Sequence, residues 1–181
     1  LMMRASHVVE DLIASQQFDI GLAETPLPRG SVKIEAFDPE CIIALPASDA
    51  LADYETLTPV DLDNYPMAML FEDHPVTVAT QKAFSLCDAT LNKRFVLRTF
   101  LPSLQLVGAG LCGAVVDRMT AATSPAAGVV YRSFEPTITS SVAILVPAHR
   151  PASVLTIAFM AHLREKLIQI EGMSLSKMDQ F

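Results

Sequence analysis

Four histidines, His7, His74, His149 and His162, are the side chains in this 181-residue sequence best suited to bind a metal or move a proton near neutral pH. They lie far apart, and none sits in an HExxH or other short-spaced ligand motif. Neither a GxSxG elbow nor a P-loop occurs, and no nucleophile stands in a motif with a base. Gly108-Ala109-Gly110-Leu111-Cys112-Gly113 spells GxGxxG in letters. It ends a predicted helix and runs into a predicted strand, the reverse of the turn that presents helix N–H groups to a dinucleotide. The sequence therefore predicts no cofactor, no metal and no enzyme activity. Cys41, Cys87 and Cys112 are an odd number without CxxC spacing. Cys41 and Cys112 fall inside apolar runs and read as small buried hydrophobes in a reducing compartment.

Binding is the chemistry that remains. In open α/β sheets ligands sit beyond the carboxyl ends of strands, where loops lead into helix N-termini whose free N–H groups attract anions. The loops so placed hold Ser6, then Glu24 and Thr25, then Phe71, Glu72 and Asp73, then Thr99, Phe100 and Leu101. Each has a second reading. Ser6 and Thr99 can be helix N-caps, Glu72 and Asp73 solvated or capping residues, and Phe100 a core residue.

The elements that must position these residues alternate along the chain. Residues 1–4 read as the end of a strand. From Ser6 the apolar Val8, Val9, Leu12 and Ile13 share one helical face, and Phe18 to Ala23 reads as a buried strand of a parallel sheet. Ser31 to Phe37 alternates apolar and charged residues as a half-wet strand should, and Cys41 to Leu45 is an apolar strand closed by Pro46. Loop and short helix lead to a strand at Met67–Phe71 and a helix from Pro75. A strand at Phe95–Leu97 follows, then a helix from Pro102 on which Leu104, Val107 and Leu111 share a face. Strands at Ala114–Val116, Val129–Ser133 and Val142–Val146 precede a last helix from Pro151 to about Ile168, with Leu155, Phe159 and Leu163 on one face. Such alternation predicts an α/β fold with mainly parallel sheet. The proline-closed strands Cys41–Pro46 and Val142–Pro147 flank a self-contained middle block and read as a double hinge. The tail, residues 171–181, reads as loose.

Half of the residues are apolar and 18% are charged, enough for a core of ordinary size. The net charge of −7 is wrong for gripping nucleic acid, which needs a basic face. No run approaches the ~20 apolar residues of a membrane helix, and Leu1-Met2-Met3-Arg4 lacks the features of a signal peptide. A cytoplasmic protein without membrane contact is expected, and the sequence reads as beginning inside a domain.

Phe18-Asp19-Ile20-Gly21-Leu22-Ala23 after a helix, Pro46 followed by Asp49-Ala50-Leu51-Ala52, and Asp61-Leu62 before Tyr65-Pro66 resemble LysR-type effector-binding domains in order and spacing. So do Leu106-Val107-Gly108-Ala109-Gly110-Leu111 and Pro147 with Arg150-Pro151-Ala152-Ser153, ahead of a helix carrying Phe159 and Leu163. The resemblance runs over residues 1 to about 167. It departs at Asp117, where the family often has a strand-closing proline, so the local turn is left open there.

The resemblance implies two Rossmann-like lobes joined by two crossing strands, like a type 2 periplasmic binding protein, with a small anionic or zwitterionic effector in the cleft. Lobe I would be 1–45 plus 148–170, and lobe II 46–147. It further implies a bacterial transcriptional regulator whose helix-turn-helix domain, absent from this sequence, makes the DNA contacts. The intact protein would be a dimer or tetramer, with the helix of Leu104, Val107 and Leu111 in lobe II's share of the interface. Ser6-His7 and the segment around Phe18 to Glu24 are similar to regulators of amino-acid and opine metabolism. A solute-binding protein of a transporter shares the fold and is the alternative.

Overall fold

The computed structural model describes residues 1–170 and 173–175. The chain divides into two units, Leu1–Pro39 with Ser141–Phe181, and Glu40–Ser140.

In the first unit, α1 (Ser6–Ala14) leads into β1 (Gly21–Glu24). Its other elements are β2 (Val32–Pro39), β9 (Val142–Pro147), α5 (Val154–Ile168) and β10 (Met173–Leu175). The sheet order is β1-β9-β2-β10, with every described pair antiparallel. β9 lies between β1 and β2, so those two run the same way without a helix to connect them. Seven residues suffice because β1 is only four residues long and an extended segment covers roughly 3.3 Å per residue. Ile13 of α1 packs with Ala23, Val32, Ala36, Ala143 and Leu145 to form this unit's core. Gly21 permits the approach: a Cβ there would stand 2.6 Å from Val9 Cγ1.

The second unit holds β3 (Cys41–Pro46), a 3-10 turn at Ala50–Asp53, β4 (Thr56–Leu57), β5 (Pro66–Leu70), α2 (Pro75–Leu86) and β6 (Asn92–Leu97). α3 (Leu101–Gly108), β7 (Gly113–Asp117), α4 (Arg118–Thr123) and β8 (Val129–Phe134) complete it. The sheet order is β4-β8-β3-β7-β5-β6. β5 pairs in parallel with β6 and β7 because α2 and α3 supply the crossovers that parallel neighbours require. Alternate residues of β3, β5 and β7 feed two cores. Ile43, Leu45, Met67 and Met69 meet Val76 and Phe84 of α2 on one face, while Ile42, Ala44 and Ala68 meet Leu104 and Val107 of α3 on the other.

Several expectations change. The second unit's sheet is mixed, since β3 is antiparallel to both neighbours, and the whole described first-unit sheet is antiparallel. A strand that enters a sheet from outside its βαβ series need not follow the series' direction. The units divide at 39/40 and 140/141 instead of at 45/46 and 147/148. The two proline-closed strands are interior sheet strands, β3 of the second unit and β9 of the first. Residues 1–4 form no strand, and Leu1 and Met3 are exposed. Leu104 and Val107 are buried in the core of their own unit, which leaves Leu101 and Leu111 as the exposed apolar residues at that helix. On α5, Leu155 and Phe159 are exposed while Thr156 and Leu167 are buried. That helix is apolar nearly all round, so four-residue spacing alone could not select its inner face. The turn left open at Asp117 is the start of α4, capped by Asp117 itself. Of the tail, Met173–Leu175 pairs with β2 and the rest lies outside the described residues.

Candidate functional site

The first unit gathers its candidate residues where α1 begins and β1 ends. Ser6 is not the cap of α1: Ala5 holds that position, and the Ser6 hydroxyl instead accepts a hydrogen bond from the Glu24 backbone N–H at 3.2 Å. The next residue, Thr25, places its Oγ1 2.6 Å from Ser141 Oγ and donates its backbone N–H to the Ser141 carbonyl at 3.3 Å. Three hydroxyls and the Glu24 backbone thus belong to one edge of the sheet. Ser141 escaped the sequence reading because it precedes β9. In a parallel sheet the amino end of that strand would lie opposite the carboxyl end of β1. Antiparallel pairing brings the two ends together, with Glu24 opposite Val142. Its only signal in the sequence is the polar Thr139-Ser140-Ser141 run before an apolar strand.

In the second unit the β5/β6 register sets Leu70 opposite Leu97, so the residues that follow each strand emerge side by side. Phe71 and Arg98 meet there, with the guanidinium carbon 5.8 Å from the ring centre, within cation–π range. His74 joins the group. It is buried, its Nδ1 accepts from the Val76 N–H at 3.2 Å to cap α2, and its ring stands edge-on to Phe71 at 5.3 Å and to Phe100 at 5.9 Å. This acceptor role puts the proton on the other ring nitrogen. Sequence reasoning considered His74 only as a metal or proton-transfer residue, and its place between two phenylalanines from different loops could come only from the register.

Thr99 is exposed and, among the described residues, its hydroxyl has no hydrogen-bond partner. It does not cap α3, whose N-cap is Phe100 without a side-chain bond, so the capping alternative for Thr99 falls away. The loop leaves an open hydroxyl on the residue that follows Arg98, next to the start of α3. Such a combination can hold a carboxylate.

Glu72 is drawn elsewhere. Lys93 Nζ lies 2.6 and 2.9 Å from its carboxylate oxygens and Gln81 Nε2 donates at 3.0 Å, and these bonds, Lys93 foremost, hold its pKa below the ordinary value. Lys93 sits near the amino end of β6, four residues before Leu97, so Glu72 turns away from Thr99.

The electrostatics elsewhere in the second unit are structural. Asp117 is buried at the end of β7 and accepts from the Thr120 N–H at 2.6 Å and its hydroxyl at 3.1 Å. Burial raises its pKa and these hydrogen bonds oppose the rise. Cys41 and Cys112 are buried, and burial raises both thiols, which keeps them inert. No group of three or more metal-ligating side chains forms among the described residues, and no helix there is long and apolar enough to cross a membrane.

The family model described as the LysR substrate binding domain matches residues 1–168. The transcriptional activator protein LysR of Escherichia coli K12 is 29% identical over 185 aligned residues, covering 92% of this chain and 54% of that protein. The regulatory protein NocR of Agrobacterium tumefaciens is 28% identical over 165, covering 90% and 54%. The chain thus spans about half the length of these relatives. Among solved structures, the effector-binding domain of QuiR in complex with shikimate superposes with a TM-score of 0.68 at 12% identity, over 92% of this chain and 80% of that one. The α/β fold is that of type 2 periplasmic binding proteins, with two lobes. By its match over residues 1–168, the chain belongs to the LysR substrate binding domain family.

Proposed function

We propose that this chain is the effector-sensing part of a LysR-type transcriptional regulator and that it binds without catalysing. Its ligand is a small anionic or zwitterionic metabolite, of amino-acid or opine type. The observation that carries the reading is the clustering of ligand-ready groups at a strand-end edge in each unit. Ser6, Glu24, Thr25 and Ser141 form one cluster, and Phe71, Arg98, Thr99 and Phe100 the other. The first offers hydroxyls, suited to hydrogen bonds with a polar ligand group, and the second a guanidinium and a hydroxyl, suited to a carboxylate. Two related regulators twice as long as the matched region favour a regulator over a transporter protein.

In the intact cytoplasmic protein, a dimer or tetramer, the effector shifts the balance between two arrangements of the sensor and so changes how a separate DNA-binding domain sits on its operator. With its net charge of −7, the sensor itself leaves DNA contacts to that domain.

The test is a melting-temperature screen of amino acids, opines, shikimate and benzoate against the intact regulator, followed by calorimetric titration of any stabilising compound. A compound that binds saturably and alters operator binding supports the proposal. Turnover of such a compound, or operator binding indifferent to every saturating ligand, overturns it.

A further inference from the structure

A cavity of about 350 Å³ opens in the first unit, away from the cluster described above, with Asp19, Lys33, Pro147, His149, Arg150 and Pro151 among its walls. β9 separates the two places. Thr25 and Glu24 lie at its beginning, beside Ser141 and Val142, while Val32 and Lys33 pair with Pro147 and Val146 at its end. Four or five residues of strand amount to roughly 13 to 17 Å.

We infer that this cavity is a second ligand site, for a small organic anion with one carboxylate on a short carbon skeleton. The charge comes first. Arg150 Nη2 lies 2.9 Å from Asp19 Oδ1, and Nη1 donates to the Gln16 carbonyl at 3.3 Å, so this guanidinium is fastened in place with its charge balanced. Lys33 has no ion-pair partner among the described residues, which leaves one positive charge at the cavity in a chain whose net charge is −7. The imidazole of His149 adds a polar group at the rim.

Shape comes second. Pro147 and Pro151 restrict the backbone on either side of His149 and Arg150, and the Ala148 N–H donates to the Ser31 carbonyl at 3.0 Å, tying this loop to the start of β2. This loop is therefore restricted before any ligand arrives, which lowers the entropic cost of binding. Small-molecule sites run from roughly 300 to 1,000 Å³ and combine apolar walls with a few placed polar groups. Val146, Pro147, Pro151 and Ala152 provide the apolar part here.

The test is an NMR titration of this chain with butyrate and with acetate, probes of equal charge and different carbon length. Saturable shifts are expected at residues 31–33 and 147–152, with butyrate binding more tightly than acetate. Lys33→Met should weaken butyrate about fivefold, the effect of one nearby charge in water. Asp19→Asn, which removes the competing carboxylate, should strengthen it. Lys33 and Asp19 are both exposed, so far-ultraviolet circular dichroism and melting should stay close to the wild type. Shifts spread over the whole surface without saturation would overturn the inference. So would equal affinity for the two probes, or two variants that leave butyrate binding unchanged. Neither variant touches the Ser6, Thr25 or Thr99 clusters, so the result stands apart from the effector proposal.

Discussion

Thr25 Oγ1 lies 2.6 Å from Ser141 Oγ although 116 positions separate them in the chain. The pair fastens the end of β1 to the beginning of β9, beside the Ser6 hydroxyl that receives the Glu24 N–H. Ser141→Ala leaves the part-buried Thr25 hydroxyl without this partner and should lower stability by about 1 kcal/mol. Thr25→Val should do the same. The double variant should lose clearly less than the sum, since both changes break one bond. Urea denaturation of the three variants measures this, and strict additivity would mean that the hydroxyls do not interact in solution.

Thr99→Val is expected to divide binding from folding. The Thr99 hydroxyl is exposed and unbonded among the described residues, so the melting point should move by less than the equivalent of about 0.5 kcal/mol. If the hydroxyl holds an effector carboxylate, affinity should fall roughly tenfold to a hundredfold, because a hydrogen bond to a charged group contributes about 1.5 to 3 kcal/mol. Calorimetric titration with the compound that stabilises the wild type, beside melting curves, gives both numbers. A lowered melting point with unchanged affinity would remove Thr99 from the site.

His74 caps α2 and also separates Phe71 from Phe100, and two substitutions distinguish these roles. Asparagine is a good N-cap, so His74→Asn should keep the cap while it loses the ring contacts, worth about 0.5 to 1.5 kcal/mol for each aromatic pair. His74→Ala should cost about 1 kcal/mol more for the missing cap. Thermal unfolding of both variants tests the order. Equal stability would show that the Val76 N–H is satisfied equally well without the imidazole.

Asp117 gives a pH dependence whose sign follows from burial. Its folded pKa is raised above the ordinary 3.8, so the folded state holds its proton more tightly than the unfolded chain. The associated stability is fully present below that ordinary value and is lost as the pH climbs through the raised folded value. Asp117→Asn retains an N-cap acceptor for the Thr120 N–H without a titrating charge. The wild type should therefore lose stability relative to this variant as the pH rises above 3.8. Urea midpoints for both proteins across that range check the slope, and parallel profiles would contradict it.

Much of the fold was legible because burial imposes periodicity. The helices at α1, α2, α3 and α5, the strands β2, β3, β5 and β9, and the glycine-marked end of α3 all follow from local patterns. The loops carrying Ser6, Thr25, Phe71, Thr99 and Phe100 were legible for the same reason, since each lies next to a periodic element. Locating a loop did not fix what its side chains meet. Glu72 looks like a site residue until Lys93 and Gln81 take its carboxylate, and α5 looks one-sided until Leu155 and Phe159 prove exposed.

By itself the sequence determined the element order, the apolar strands and the family resemblance, all of which depend on residues close together in the chain. Tertiary structure alone decided strand direction and register. Those placed Ser141 beside Thr25 and set His74 between Phe71 and Phe100. A strand reads the same whether its neighbour runs parallel or antiparallel. Its pattern reports which face is buried, while pairing depends on backbone hydrogen bonds that every residue type except proline can both donate and accept.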